Sequence, residues 1–172
     1  MAENQAPVNN TENPDVNFVV HNVYVKDVSF EAPNTPHVFS VEWNPKLDFD
    51  MEMGHTTLAD GVYEVLINVT VKVDLEPTEE MIKKDPKKEP ETAFLVEVKQ
   101  AGIFSLQGVG DGEKIEHILS TIAPSILFPY IREAVSNLVT KGGFPQLILP
   151  PMNFEAMYRH QLHQTSQQQE QA

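Results

Sequence analysis

The sequence contains no cysteine. Disulfide scaffolds, thiolate zinc sites and cysteine nucleophiles are excluded together, and the composition suits a reducing compartment. Long apolar runs are missing as well: none approaches the roughly 18 residues that span a bilayer. The N-terminal stretch MAENQAPVNNTENPDVN has neither a basic region nor an apolar core, so it offers no secretory signal and the expected location is cytoplasmic. Basic residues are scarce, with 12 Lys and Arg against 25 Asp and Glu, a formal net charge of −13. That balance repels phosphate and argues against nucleic acid as a partner. It favours basic partners, or serves solubility alone.

Reactive motifs are also lacking. Of the six histidines only His160 and His163 are close in sequence, and no acidic third ligand accompanies them. The GVGDG of Gly108–Gly112 lacks the Lys and Ser/Thr of a phosphate loop. It reads as a turn into a helix, with Asp111 and Glu113 at the positive end. No nucleophile elbow is present, and Asp48, Asp50 and Glu52 read as a solvated sheet face. No enzyme activity, metal or cofactor is expected.

What is present is a globular composition, 41% hydrophobic and 22% charged, over 172 residues, enough for one domain with a real core. Residues 1–16 are polar and read as a disordered segment. From Asn17 the apolar residues alternate, with Phe18, Val20, Tyr24, Val28 and Phe30 on one face and Asp27 and Glu31 on the other. Leu47, Phe49, Met51 and Met53 alternate next, preceded by Trp43 and by Pro45, a mark of an edge strand or bulge. Then come Val65, Ile67, Val69, Val71, Val73 and Leu75, followed by Phe94, Val96 and Val98 with Leu95 and Glu97 turned outward. Consecutive half-wet strands predict an antiparallel meander. Between the last two lies a lysine-rich excursion carrying Lys83, Lys84, Lys87 and Lys88.

Beyond Gly112 the period becomes 3.6. Ile115, Ile118, Leu119 and Ile122 form one stripe and Leu127, Ile131, Ala134, Val135 and Leu138 another, with a break expected at Pro124 and Pro129. Lys141-Gly142-Gly143 stops the helix, and Asn153 starts a last one carrying Phe154, Met157, Tyr158 and Leu162. Residues 17–162 therefore form the folded domain, and 163–172 a flexible polar tail. Strands first and helices after predict an α+β fold, a four-stranded antiparallel sheet with helices packed on one face.

Two features point to binding. The segment GGFPQLILPPMNF, Gly142–Phe154, is apolar, stiffened by three prolines and chemically inert. Trp43, Phe49, Met51 and Met53 either fill the core beneath the helices or form a surface that accepts varied apolar groups; alternation alone favours the core.

Four motifs together resemble the SecB family of export chaperones: YVKDVSFEAPNTPHVF from Tyr24, FLVEVKQAGIFSL from Phe94, ILFPYIREAVSNLV from Ile126, and GGFPQLILPPMNFEAMY from Gly142. The likeness runs from about Tyr24 to Tyr158. It departs at Ala123, Ser125, Ile131 and Met152, and the lysine-rich connection at about Glu76–Glu91 is longer than usual. The resemblance implies a homotetramer built as a dimer of dimers. It implies an ATP-independent cytosolic chaperone that holds unfolded preproteins and passes them to the SecA ATPase. The positions matching the family's SecA-docking patch are Asp27, Glu31, Leu95 and Glu97. Those matching its client groove are Trp43, Leu47, Phe49 and Met51, with Phe144, Leu149 and Phe154 from the proline-rich segment as roof. The alternative is an acidic oligomeric adaptor for one folded basic partner.

Overall fold

The computed structural model describes residues 17–170, with side-chain surroundings as far as Ser166. The expected disordered segment 1–16 and the last two residues of the polar tail lie outside the described residues. Four long strands, β1 (Asn17–Glu31), β2 (Pro45–Ala59), β3 (Val62–Leu75) and β4 (Glu91–Gln107), form one antiparallel sheet. Its order is β1-β4-β3-β2. The expected meander holds for β2, β3 and β4, but β1 pairs with β4 at the opposite edge, which makes a Greek key. Alternation assigns a residue to a face and says nothing about the neighbouring strand. The crossing from β1 to β2 contains Pro33 and Pro36 and a 3₁₀ turn at His37–Ser40, too long and irregular for a hairpin.

β1 slips register between Val20 and Asn22 and again between Val25 and Asp27. Each bulge inverts the alternation beyond it. Tyr24 therefore faces away from Phe18 and Val20, contrary to the uninterrupted pattern, while the second bulge restores Val28 and Phe30 to the inner face. On the outer face Tyr24 donates a hydrogen bond to Glu64, which also pairs with Lys26 at 2.9 Å. The small Ala101 of β4, opposite both Tyr24 and Leu66, leaves room for this bridge between β1 and β3.

Inner-face residues of β3 and β4, from Val65 to Leu75 and from Phe94 to Phe104, are buried beneath a single helix, α2 (Gly112–Lys141). The break expected at Pro124 and Pro129 does not occur. Each proline removes one ladder bond and costs roughly 3 kcal/mol in an isolated helix interior. Here the buried stripe Leu119, Ala123, Leu127, Ile131, Val135 and Val139 runs through both prolines at a spacing of four, and packing on the sheet outweighs the loss. Asp111 caps α2, accepting from the Glu113 amide at 3.0 Å. A short helix, α1 (Glu79–Lys84), lies in the lysine-rich connection, and α3 (Phe154–Glu170) packs on α2. Asn153 caps α3, its Oδ1 accepting from the Ala156 amide at 2.9 Å. α3 continues past Leu162 into the stretch read as flexible tail. Glutamine is a good helix former, and the hydroxyls of Thr165 and Ser166 donate back to the carbonyls of Gln161 and Leu162.

The helix stop after Lys141 orients everything that follows. The Gly143 amide bonds the Thr140 carbonyl at 3.1 Å and the Phe144 amide bonds that of Val139 at 3.2 Å, a Schellman closure with Gly143 at φ 84°. Gly142 has its own constraint: a Cβ there would lie 2.3 Å from the Phe30 ring, which is held between Phe94 and Phe144. Gly142→Ala is expected to destabilise the fold by about 1–3 kcal/mol through overpacking. Gly110→Ala, where a Cβ meets nothing within 4 Å, should be close to neutral. Denaturant unfolding of the two variants checks this.

Candidate binding surfaces

Apolar side chains of β2 point to the same face as the core, opposite Val73, Val71, Val69 and Ile67 of β3. Core filling was the simpler expectation for them. Yet Leu47, Phe49 and Met53 remain 42, 38 and 38% exposed, and only Met51 is half-buried. The cause is position: β2 is an edge strand, and α2 packs mainly over β3 and β4. Among the described residues β2 pairs with β3 alone, so its other edge presents unpaired backbone donors and acceptors beside this apolar row.

An aromatic cluster closes one end of the row. Phe144 packs against Phe94 at 5.0 Å, Phe39 at 5.2 Å and Trp43 at 6.1 Å between ring centroids, and Phe39 and Trp43 are exposed on it. At the other end a cleft of ≈ 750 Å³ opens between β2, α2 and α3, lined by Met53, His55, Leu119, Met157 and Tyr158 among others. Its rim is tied by His55 to Glu116 at 2.9 Å, and α2 is tied to α3 by His117 to Glu155 at 2.7 Å. The bond from His117 holds the Glu155 carboxyl below the usual carboxylate range.

The proline-rich segment departs from its expected role at three positions. Phe144, Leu149 and Phe154 keep only 5, 2 and 2% of their surface, so they belong to the core and present no contact surface in this chain. Phe144 anchors the aromatic cluster, and Phe154 packs on Phe128 at 5.6 Å. The Leu149 carbonyl accepts from Arg132 Nε at 2.7 Å, which fixes the segment on α2. The exposed apolar side chain of this segment is Ile148, with Leu147 half-buried beside it. The segment has no regular secondary structure and so no period, and nothing in the sequence reveals which of its side chains face inward.

The second surface is the outer face of the sheet. Register sets Asp27 opposite Lys99, Ser29 opposite Glu97 and Glu31 opposite Leu95, which brings Asp27, Glu31, Leu95 and Glu97 together across two adjacent strands. Glu97 also accepts from the Thr70 hydroxyl at 3.1 Å. Asp48, Asp50 and Glu52 carry the acidic character to the far edge, opposite Lys72, Thr70 and Asn68. Among the described residues no group of three His, Asp or Glu is placed to hold a metal ion. No described helix is long and apolar enough to cross a membrane.

An α+β sheet with uncovered apolar side chains on both edge strands and one charged face defines a binding protein by its surfaces. The model of the family "SecB: Preprotein translocase subunit SecB" matches residues 10–165. The protein-export protein SecB of Legionella pneumophila, in strains Corby and Lens alike, is 44% identical over 155 residues, covering 90% of this chain and 87% of each relative. The chain belongs to the SecB family. A solved SecB-like chaperone of Mycobacterium tuberculosis, in complex with an antitoxin peptide, shares the fold with a TM-score of 0.61 at 14% identity, covering 79% of this chain and 91% of that one.

The bridge that fixes β1 is sensitive to acid. The hydrogen bond from Tyr24, reinforced by Lys26, holds the Glu64 carboxyl below its ordinary 4.5. Because the folded value is lowered, the bridge contributes its full stability above about pH 4.5 and loses it as pH falls through that lowered value. Glu64→Gln should lower the unfolding midpoint at neutral pH and converge with the parent protein in stronger acid. Thermal unfolding as a function of pH measures the difference.

Proposed function

We propose that this protein is an ATP-independent chaperone that holds preproteins unfolded in the cytosol and delivers them to the SecA ATPase. The observation that carries this reading is the β2 edge, where free backbone groups lie beside exposed Leu47, Phe49 and Met53. An extended polypeptide laid along it gains main-chain hydrogen bonds whatever its sequence, while alternate side chains rest on the apolar row. At about 25 cal/mol per Å² of apolar burial, several dispersed contacts hold a client without a specific anchor. Methionines at positions 51 and 53 adapt to varied side chains. The sheet beneath is fixed, so binding orders little of the protein itself. Client binding in this reading runs from Trp43 through Leu47, Phe49 and Met51, with Ile148 supplying the roof that the buried Phe144, Leu149 and Phe154 support from below.

Asp27, Glu31, Leu95 and Glu97 serve as the SecA-docking patch, suited to a basic segment of that partner. Docking and client holding then occupy opposite faces of one sheet. Assembly as a dimer of dimers is supported by two further apolar features, the exposed Val20, Val25 and Val28 of edge strand β1 and the exposed Ile122 and Tyr130 of α2. An adaptor for one folded basic partner leaves the β2 row without a task.

Phe49→Asp is expected to weaken holding of several unrelated unfolded polypeptides by at least about tenfold, since it sets a charge in the apolar row. SecA binding should survive in that variant. Glu97→Arg should do the reverse, and raised salt should mimic it. Parallel loss of both activities in either variant would contradict the separation of surfaces.

A further inference from the structure

We propose that Met53 is an oxidation site: conversion of its thioether to the sulfoxide by a peroxide weakens the hold on unfolded clients, and reduction of the sulfoxide restores it. The inference rests on the groove reading above and adds regulation to it. With no cysteine in the chain, the six methionine thioethers are its only sulfur. Four of the five methionines among the described residues are half-buried: Met51, Met152 and Met157 pack against the core, and Met81 sits in α1. Met53 is the exception at 38% exposed, because it stands on an edge strand that α2 leaves largely uncovered. An oxidant must reach the sulfur, so the exposed thioether reacts first.

Met53 occupies the place where such a change bears on binding. It ends the apolar row of Leu47, Phe49 and Met51 on β2, and it also lines the cleft of ≈ 750 Å³ between β2, α2 and α3. Met157 of α3 lines the same cleft, together with Val65 and Leu119. A client that runs along β2 therefore covers the Met53 side chain where the row meets the cleft.

In the reaction, the sulfur lone pair attacks one oxygen of hydrogen peroxide, and the S–O bond forms as the O–O bond breaks. The proton on the transferred oxygen joins the departing hydroxide, which leaves as water. Sulfur loses two electrons and the peroxide gains them. The product is a polar, chiral side chain with an acceptor oxygen where a flexible apolar one stood. In the empty groove water solvates that oxygen, and the fold is little affected. Under a client the water is displaced, and apolar side chains offer no donor, so the oxygen is buried unpaired. The penalty falls on the complex alone. Oxidation of Met51, which packs on the core, would act on the fold instead.

The test uses the full-length protein, treated briefly with hydrogen peroxide, and a labelled, permanently unfolded polypeptide as client. Peptide mapping by mass spectrometry should find the sulfoxide at Met53 ahead of Met51, Met152 and Met157, and prebound client should slow its formation there. The Kd for client should rise about three- to tenfold in the treated parent, with the thermal unfolding midpoint unchanged. A methionine sulfoxide reductase should reverse the rise. Met53→Leu keeps an apolar contact without sulfur; it should hold client like the untreated parent and keep its Kd after peroxide. Oxidation of Met53 with Kd unchanged overturns the proposal. So does a peroxide effect that persists in Met53→Leu, a fall in the thermal midpoint that parallels the lost binding, or oxidation of Met53 at one rate with and without client. Failure of the untreated parent to hold the client at all is a distinct result, which removes the groove reading and this proposal with it.

Discussion

A sheet four strands wide and a single long helix cannot cover one another. At about 4.8 Å per strand the sheet spans roughly 19 Å, while a helix with its side chains is about 10 Å across. α2 therefore seals β3 and β4, and the inner faces of β1 and β2 are left over. The uncovered valines of β1 and the uncovered Leu47, Phe49 and Met53 of β2 follow from that mismatch. They need no special residue types, only strands long enough to extend the core pattern beyond its cover. A second helix could have closed the gap, but α3 leans on α2 and leaves a cleft between itself and β2.

The proline-rich segment works within the same constraint. Gly143 turns the chain sharply out of α2, and Phe144 then drops into the aromatic cluster formed by Phe30, Phe39, Trp43 and Phe94. With Leu149 and Phe154 buried as further anchors, the strap is fixed at three points and stays rigid between them. Its inertness suits a surface that makes contact and nothing else. Prolines at 145, 150 and 151 need no ladder partner there, because the strap pairs with no strand.

Much of this was legible in the sequence, and the misses have physical causes. Alternation identified the faces of β2, β3 and β4, and it set Asp27, Glu31, Leu95 and Glu97 on the outer side, where register brings them together. It gave no depth: Phe49 and Val71 carry the same signal and stand opposite one another, one exposed and the other fully buried, because the edge of the sheet is a tertiary fact. Uninterrupted alternation puts Tyr24 on the inner face, because bulges at His21 and Lys26 leave no compositional mark. Pro124 and Pro129 imply a broken helix by local rules, which the continuous stripe from Leu119 to Val139 overrides. Phe144, Leu149 and Phe154 could be recognised as apolar contacts, but an irregular segment has no period from which burial could be read.

The central claim is that the free edge of β2 receives an extended client. Hydrogen–deuterium exchange of the protein, with and without an unfolded polypeptide, tests it residue by residue. Amides of β2 between Leu47 and Met53 that point away from β3 should become protected when the client binds, with those of β4 unchanged. Protection confined to the outer acidic face, or none along β2 while the client is held, would contradict the account.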